Sequence, residues 1–440
     1  RQREVAGLNS PSRTMRALFK LFSSIWLTVT LLAFSMVLVF GATFEQVQWG
    51  VYEVQKQYFE SFVCLWQYPM QWPAAASLQW LKIPLPGGFL LGGLLLINLL
   101  CAHFRYFRPT WRKSGIVLIH AGIVLLIVSG FLTAYLQQEY FMWINVGGSA
   151  NYVESFHDRE LAFIDHTDRK TDTVVTIPVS RLQAGQAISD PALPFTITPV
   201  YYYPNSSFTL RSENKGRDLP VTPADHGVAT NGDLAVVPQP YDYAKDELNT
   251  ASAVVAVSTK DGPVGKWLVS TLFSDPNSLP PFLKDKFPQT FVLDGHTWEV
   301  TLRPRRVYLP CTLTLDKFVH EVYPGTDVPK DFESQVHLTN AATGEDRPVL
   351  IYMNHPLRYA GLTFYQASFG QSDSASMLQV VRNPGAPLPY IAVALVGFGM
   401  ALHFLLVLLG HLRREKQRSP QTAPETDPGE LPQTAAVRTP

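Results

Sequence analysis

Two histidines lie inside long apolar stretches of this 440-residue chain, His120 in residues 114–136 and His403 in residues 388–410. An imidazole is costly to place in an apolar, lipid-facing helix, so its presence there suggests a purpose. A neutral imidazole can hydrogen-bond to a neighbouring helix, or it can serve as an axial ligand to haem iron between apolar walls. The residues alone leave both interpretations open.

The nine other histidines give no comparable signal. His103 and His411 stand at the ends of apolar stretches and are interpreted as interfacial anchors. None of the others is paired at the spacing of a metal motif such as H-E-x-x-H, so no metal site is predicted there. The chain also lacks a G-x-S-x-G motif, a phosphate-binding loop and a G-x-G-x-x-G motif. The sequence therefore does not predict an enzyme that acts by itself.

Four segments are apolar and about long enough to cross a lipid bilayer as helices. They are residues 21–42, 88–104, 114–136 and 388–410. Asn98 is the one strongly polar residue inside the second segment. A cleaved signal peptide is the alternative for the first segment, but its apolar run is longer than a signal core. The sequence therefore predicts a membrane protein with four transmembrane α-helices.

Basic residues predict the orientation of these spans. Three clusters of Lys and Arg lie in residues 1–20, 105–113 and 411–440. A chain that crosses the membrane four times places all three clusters on the same side. Residues 43–87 carry only Lys56 and Lys82 as basic side chains. We therefore expect both termini to be cytoplasmic, with residues 43–87 and 137–387 on the outer side of the membrane.

The two external segments differ in character. Residues 43–87 are rich in tryptophan, and apolar residues at helical spacing over 50–67 predict an amphipathic helix in the outer interface. The more specific alternative is that residues 43–87 form a platform that binds haem. Residues 137–387 contain short β-branched and aromatic runs between turn residues, which predicts a large, mostly antiparallel, sandwich-like β domain. Asp294-Gly295 is a two-residue hairpin signal within it.

Composition separates these folded regions from less regular ones. Residues 204–250 are poor in strand signals and are predicted to form long loops. The tail, residues 411–440, is rich in Pro and Thr after Gln417 and is predicted to be disordered. The 36 Lys and Arg balance 36 Asp and Glu, and this zero net charge argues against a nucleic-acid partner.

Small residues in the third span indicate a helix-packing seam. Gly115, Gly122 and Ser129 recur every seven residues, and small side chains let membrane helices approach closely. At 3.6 residues per turn, His120 lies about 140° around the helix from Gly115. We therefore predict that His120 points away from the seam, towards another surface.

One stretch resembles a known family. Residues 354–368 follow the pattern Asn-x-Pro-Leu-x-Tyr-x-Gly-x-x-Phe-Tyr-Gln-x-Ser, which is similar to the end of the external domain in ResB proteins. The matching positions are Asn354, Pro356, Leu357, Tyr359, Gly361, Phe364, Tyr365, Gln366 and Ser368. Three helices, a large external domain and one last helix also resemble ResB, and the third span resembles the family's His-containing helix. The motif itself is interpreted as a folding signature, because its apolar residues alternate between turns.

The resemblance implies a role in System II cytochrome c biogenesis. ResB proteins are understood to work with a CcsA-like membrane protein that handles haem and presents it to apocytochrome c. For this chain the resemblance implies a non-catalytic subunit of the haem attachment complex, embedded in the lipid bilayer of a bacterial inner membrane. Its large domain would be periplasmic, and it would hold haem b.

The resemblance also implies that His120 is an axial ligand to the haem iron. A histidine of the CcsA-like partner would supply the second ligand, or His403 would supply it within this chain. The two imidazoles lie at similar depth, roughly 9 and 10 Å from the cytoplasmic helix ends at 1.5 Å per residue. The alternative function is an adaptor that scaffolds partners through its β domain without haem.

The three cysteines, Cys64, Cys101 and Cys311, form no C-x-x-C pair. Neither a thioredoxin-like site nor covalent haem attachment is therefore indicated. Cys64 and Cys311 are both predicted to be external, where a disulfide is permitted. Nothing in the sequence fixes the distance between them, so their pairing stays open.

Overall fold

The computed structural model describes residues 13–418, except 69–71, 73–74, 79, 107–109, 169, 244–248, 275–278, 280, 326–328 and 371–373. The start of the predicted cytoplasmic segment, residues 1–12, and most of the predicted disordered tail, residues 419–440, lie outside this description. The chain divides into two compact units. The first unit comprises Arg1–Thr28, Leu95–Gly130 and Ala386–Pro440, and the second comprises Val29–Leu94 and Phe131–Gly385.

Four helices among the described residues are long and apolar enough to cross a membrane, in line with the four predicted spans. The α-helices are α1 (Arg13–Phe22), α2 (Ile25–Val54), α3 (Ala75–Leu78), α4 (Gly88–Tyr106), α5 (Ser114–Leu136), α6 (Val179–Gln183), α7 (Pro281–Lys284) and α8 (Pro387–Arg418). The long ones, α2, α4, α5 and α8, leave large side chains such as Trp26, Phe40 and Phe404 exposed. Such continuous apolar surfaces suit lipid better than water.

The break between α1 and α2 is held by Asn98 of α4. Asn98 is buried, and its Nδ2 donates to the carbonyl oxygens of Phe22 at 2.8 Å and Ser24 at 3.1 Å. Its Oδ1 accepts a hydrogen bond from Thr28 Oγ1 at 2.6 Å. Carbonyl groups at a helix end have no partner within the helix, and hydrocarbon offers none. Asn98 therefore satisfies the Phe22 carbonyl at the end of α1 and adds a second donor to the Ser24 carbonyl, which also accepts from the Thr28 backbone nitrogen at 3.3 Å.

The first long helix extends beyond the predicted end of its span at residue 42. It continues to Val54 and is followed by a π-helical turn, Gln55–Phe59. Gly50 interrupts the helix with a φ of 69°. This left-handed conformation is open to glycine without steric cost, so Gly50 allows the kink.

The predicted interfacial helix over residues 50–67 is wrong in its second half. The strand β1 (Val63–Gln67) pairs antiparallel with β2 (Lys82–Pro86). A short apolar run fits a buried helix and a strand equally well, so spacing alone could not distinguish them. In the structure Cys64 is buried between exposed neighbours, which is the alternation of a strand.

The remaining described strands belong to the second unit. They are β3 (Gln138–Asn145), β4 (Ser149–Asp165), β5 (Thr173–Pro178), β6 (Ile188–Ser189), β7 (Thr196–Tyr203), β8 (Ser206–Leu210), β9 (Leu234–Pro238), β10 (Ser252–Thr259), β11 (Gly262–Ser270), β12 (Thr290–Leu293), β13 (His296–Val322), β14 (Pro329–Asn340), β15 (Glu345–Tyr352), β16 (Leu357–Tyr359), β17 (Leu362–Phe369) and β18 (Ala375–Arg382). Every pairing between these named strands is antiparallel, which confirms the predicted large antiparallel β domain.

Two sheets make up most of this domain. The ten-stranded sheet has the order β15-β14-β13-β4-β3-β18-β17-β16, with β12 paired to β13 and β5 paired to β4. The four-stranded sheet has the order β11-β10-β7-β6. Phe163 and Leu302 of the large sheet share one buried core with Val255 and Trp267 of the small sheet. The two sheets therefore pack on each other, while the sandwich form of the whole domain stays a prediction.

Two tight hairpin turns contain residues with positive φ at both central positions. Asp294 and Gly295, with φ of 49° and 79°, join β12 to β13, which confirms the predicted hairpin. Ala360 and Gly361, with φ of 50° and 77°, join β16 to β17 in the same way. Two-residue hairpins of this type need positive φ at both central positions, which favours Gly.

Two predicted irregular segments contain more structure than expected. Residues 411–418 belong to α8, where His411 Nε2 lies 3.4 Å from Glu415 Oε1, one turn further along the helix. Pairs at this spacing support an exposed helix end, which explains why the predicted helix end at residue 410 is too early. Within residues 204–250, β8 and β9 form a small two-stranded sheet between loops.

Candidate functional site

The ring of His120 has a fixed orientation on α5. Its Nδ1 lies 2.8 Å from the carbonyl oxygen of Ile116, one turn earlier. Because a carbonyl oxygen only accepts hydrogen bonds, Nδ1 is the donor, and in a neutral imidazole this leaves the lone pair on Nε2. Metal-binding histidines usually donate their second ring N–H in this way. His120 therefore presents a nitrogen that is prepared for metal coordination.

A second imidazole, His103 of α4, lies beside His120. The two ring centroids are 5.5 Å apart, and the ring planes are inclined by 46°. The two imidazoles are therefore direct neighbours and form a candidate ligand pair.

Sequence reasoning treated His103 only as an anchor and did not anticipate this contact. A signal was nevertheless present. The two histidines flank the short connection at residues 105–113, and helices joined by a short connection usually run antiparallel as neighbours. Counting inward at 1.5 Å per residue places His103 about 4.5 Å and His120 about 9 Å from the connected helix ends, a difference of less than one helical turn.

The predicted packing seam on α5 is confirmed. Gly115, Gly122 and Ser129 are the buried residues of this helix. A Cβ added at Gly115 would stand 2.6 Å from the backbone nitrogen of His403, and one at Gly122 would stand 2.8 Å from the carbonyl oxygen of Ala392. Helices α5 and α8 therefore touch backbone to backbone along these small residues.

The structure does not bring His403 together with His120. The backbone of His403 packs on Gly115, about 140° around α5 from His120. Its ring contacts Phe404, and its Nδ1 is buried without a hydrogen-bond partner among the described residues. Of the two predicted ligands, His120 thus has a neighbouring imidazole, and His403 lies on the opposite, seam side of α5.

The number of available ligands bears on which metal would fit. Among the residues that the structure describes, no three His, Cys, Asp or Glu side chains are grouped so that they could hold a metal ion. A haem iron already has four porphyrin nitrogens and takes only axial ligands from protein.

The family-like motif has a structural role, as predicted. Phe364 is fully buried in the core of the large sheet. Gln366 accepts a hydrogen bond from Ser334 Oγ at 2.6 Å and donates to Ser376 Oγ at 3.1 Å. The Tyr359 hydroxyl accepts a hydrogen bond from Asn340 at 2.8 Å. These contacts hold the β16–β17 end of the sheet together.

The β domain also holds a histidine between two carboxylates. His166 Nδ1 lies 2.9 Å from Asp172 Oδ1, and its Nε2 lies 2.8 Å from Glu299 Oε2. The hydrogen bond with Glu299, and then the one with Asp172, raises the pKa of His166. Both ring nitrogens are engaged by carboxylates, so this imidazole has a structural role in the β domain.

The cysteines contribute no cross-link. Cys64 and Cys311 are both buried, and neither forms the disulfide that the sequence left open. Burial raises the pKa of both thiols, which keeps them protonated and poorly reactive. Cys101 is also free.

Comparison with known proteins finds similarity over parts of this chain. The ResB-like family matches residues 284–386. Protein NrfI of Wolinella succinogenes is 28% identical over 133 residues, which are 29% of this chain and 15% of that protein. Cytochrome c biogenesis protein CcsB of Synechococcus sp. is 35% identical over 77 residues, 18% of this chain and 17% of that protein. The chain thus covers less than a fifth of either relative, and its similarity to the ResB-like family lies in residues 284–386.

Proposed function

We propose that this chain is a membrane subunit of the cytochrome c maturation machinery and holds haem b within the bilayer. The observation that carries the proposal is the imidazole of His120, whose Nδ1 is tied to a backbone carbonyl and whose ring lies beside His103. The ResB-like segment supports the pathway, because one relative is named as a cytochrome c biogenesis protein. The four apolar helices support the membrane setting.

The residues of the first unit would each have a defined task. His120 Nε2 offers the lone pair, while the Ile116 carbonyl holds the proton on Nδ1 and fixes the plane of the ring. The apolar side chains of α4 and α5 exclude water around the ligand. When bound, haem would supply an iron that accepts an imidazole nitrogen. His103 would hold the haem together with His120 if the chain binds haem alone.

The delivery of haem requires further components. We propose a CcsA-like membrane protein as partner, with apocytochrome c as the acceptor, and a non-catalytic part for this chain. A partner histidine replaces His103 as the second ligand if haem binding needs the partner. The chain would sit in a bacterial inner membrane with cytoplasmic termini and a periplasmic β domain.

Haem content in ligand variants tests this proposal. The chain is purified with and without its CcsA-like partner, and haem is quantified from the visible spectrum of wild type, His120→Ala, His103→Ala and His411→Ala. We expect His120→Ala to lose most of the haem in both preparations and the surface variant His411→Ala to retain it. Loss in His103→Ala without the partner assigns that residue as the second ligand.

The opposite results are equally clear. Haem content that does not depend on His120 in either preparation would remove the ligand assignment and leave the adaptor function. If the haem content depends on His403 and not on His103, the second ligand is His403, on the seam side of α5. Membrane insertion of each variant is verified by protease protection of the β domain.

A further inference from the structure

A cavity of about 530 Å³ opens in the second unit beside β13. Small-molecule sites are commonly about 300–1,000 Å³ and mostly apolar, with a few polar groups that fix orientation. This cavity has that size, and its wall is mixed, with six apolar residues and seven polar or charged ones. Its apolar walls include Ile164, Phe273, Phe287 and Val300, and Arg303 lines it among the polar groups.

Arg303 is buried and only partly satisfied. Its side chain is 3% exposed, and its Nε donates to Glu160 Oε1 at 3.0 Å. One terminal nitrogen of its guanidinium, NH2, has no hydrogen-bond partner among the described residues. A buried charged donor without a partner is costly, so a ligand that accepts from it gains an interaction that water cannot replace there.

The nearby carboxylates are already engaged by other groups. Glu160 also faces the backbone nitrogen of Arg306 at 3.4 Å, and Glu154 accepts from Arg306 Nε at 2.9 Å. Glu299, on the cavity wall, is bonded to His166 at 2.8 Å. None of these described carboxylates is therefore an acceptor for the spare N–H of Arg303, a residue that lines the cavity.

We infer that this cavity binds a carboxylate carried on an apolar body. A guanidinium matches a carboxylate in shape and charge, and the aromatic walls match hydrocarbon. A fatty acid and a porphyrin propionate share this chemistry. The site goes beyond the proposed function, because it uses none of the histidines in the apolar helices.

Two positions allow the cavity to be tested without breaking the buried ion pair. Thr301 lines the cavity, so Thr301→Trp fills it, and Thr301→Val is the matched control of similar size. Arg303→Lys keeps the charge beside Glu160 but removes the guanidinium fork. Arg305→Gln is the charge control, because Arg305 pairs with exposed Asp158 and does not line this cavity.

Binding is measured on the full chain in nanodiscs by equilibrium dialysis, with empty nanodiscs subtracted. The probes are dodecanoate, protoporphyrin IX and, as a neutral control, dodecanol. We expect saturable binding of at least one carboxylate probe, about tenfold weaker in Arg303→Lys and abolished in Thr301→Trp. Thr301→Val and Arg305→Gln should bind within about twofold of wild type.

The carboxylate that binds identifies the source of the ligand. Equal binding in Thr301→Trp, equal affinity for dodecanol and dodecanoate, or no saturable binding of either acid would overturn the inference. Thermal unfolding of each variant verifies its fold, and Thr301→Trp decides the question if Arg303→Lys does not fold. His120→Ala should bind both probes as wild type does, so failure here and failure of the haem proposal are distinguishable.

Discussion

The contact between α5 and α8 should not tolerate even one methyl group at Gly115. A Cβ there would stand 2.6 Å from the carbonyl oxygen of Gly399 and 2.6 Å from the backbone nitrogen of His403. Ordinary contacts begin at 3.4 Å, so the helices must separate by about 0.8 Å, the difference between 3.4 and 2.6 Å. The obstructing atoms are backbone, and no side-chain rotation can relieve them.

The energetic cost follows from the nature of the contact. Packing between membrane helices depends on close van der Waals contact, and a gap of about 0.5–1 Å forfeits roughly a quarter to a half of each contact. Overpacking of this kind typically costs about 1–3 kcal/mol. Gly130→Ala on the same helix is the matched control, because an added Cβ there meets nothing within 4 Å. That change should be neutral or stabilising by about 0.5–1 kcal/mol.

Thermal unfolding of the full chain in detergent compares the two variants. We expect Gly115→Ala to lower the midpoint of the helical transition and Gly130→Ala to leave it unchanged or raise it. Gly399→Ala on α8 should resemble Gly115→Ala, and Gly397→Ala, which faces open space, should resemble Gly130→Ala. Equal midpoints for Gly115→Ala and Gly130→Ala would refute the backbone contact between the helices.

Three further changes test other parts of the fold. Asn98→Leu removes three buried hydrogen bonds at the α1–α2 break and should destabilise the chain by about 2–4 kcal/mol, measured by denaturant unfolding in detergent. Gly361→Val forces a β-branched residue to a φ of 77° and should cost about 1–2 kcal/mol, measured in the same way. The raised pKa of His166 means that its bonds with Glu299 and Asp172 contribute stability fully below the unfolded pKa of about 6.5 and lose it as pH rises through the folded value. Thermal midpoints from pH 5.5 to 8.5 should therefore fall more steeply in wild type than in His166→Gln; parallel curves would contradict the assignment.

The features that were predicted correctly from the sequence depend on residues that lie close together in the chain. Asp294-Gly295 specifies its hairpin because only certain residues accept positive φ at both positions. The seam of Gly115, Gly122 and Ser129 follows from periodicity along one helix, and the structure buries these three residues. The apolar helices follow from length and composition alone.

The features that sequence reasoning missed depend on contacts between distant residues. The pairing of β1 with β2 requires a partner strand, and the short apolar run around Cys64 carries no information about that partner. The contact of His103 with His120 needs the packing of two helices. Arg303 and Glu160 are 143 residues apart, and neither position shows in the sequence that it is buried.

The ResB-like match and the candidate ligands lie in different parts of the chain. Residues 284–386 fall almost wholly in the second unit, whereas His103, His120 and His403 belong to the first. The match therefore lies in the β domain and supports a pathway, but it places no ligand. A Gln366→Leu variant that lowers cytochrome yield would show only that the β domain must fold, because Gln366 bonds buried serines. Only the imidazole variants, with stable helices, decide whether the chain holds haem.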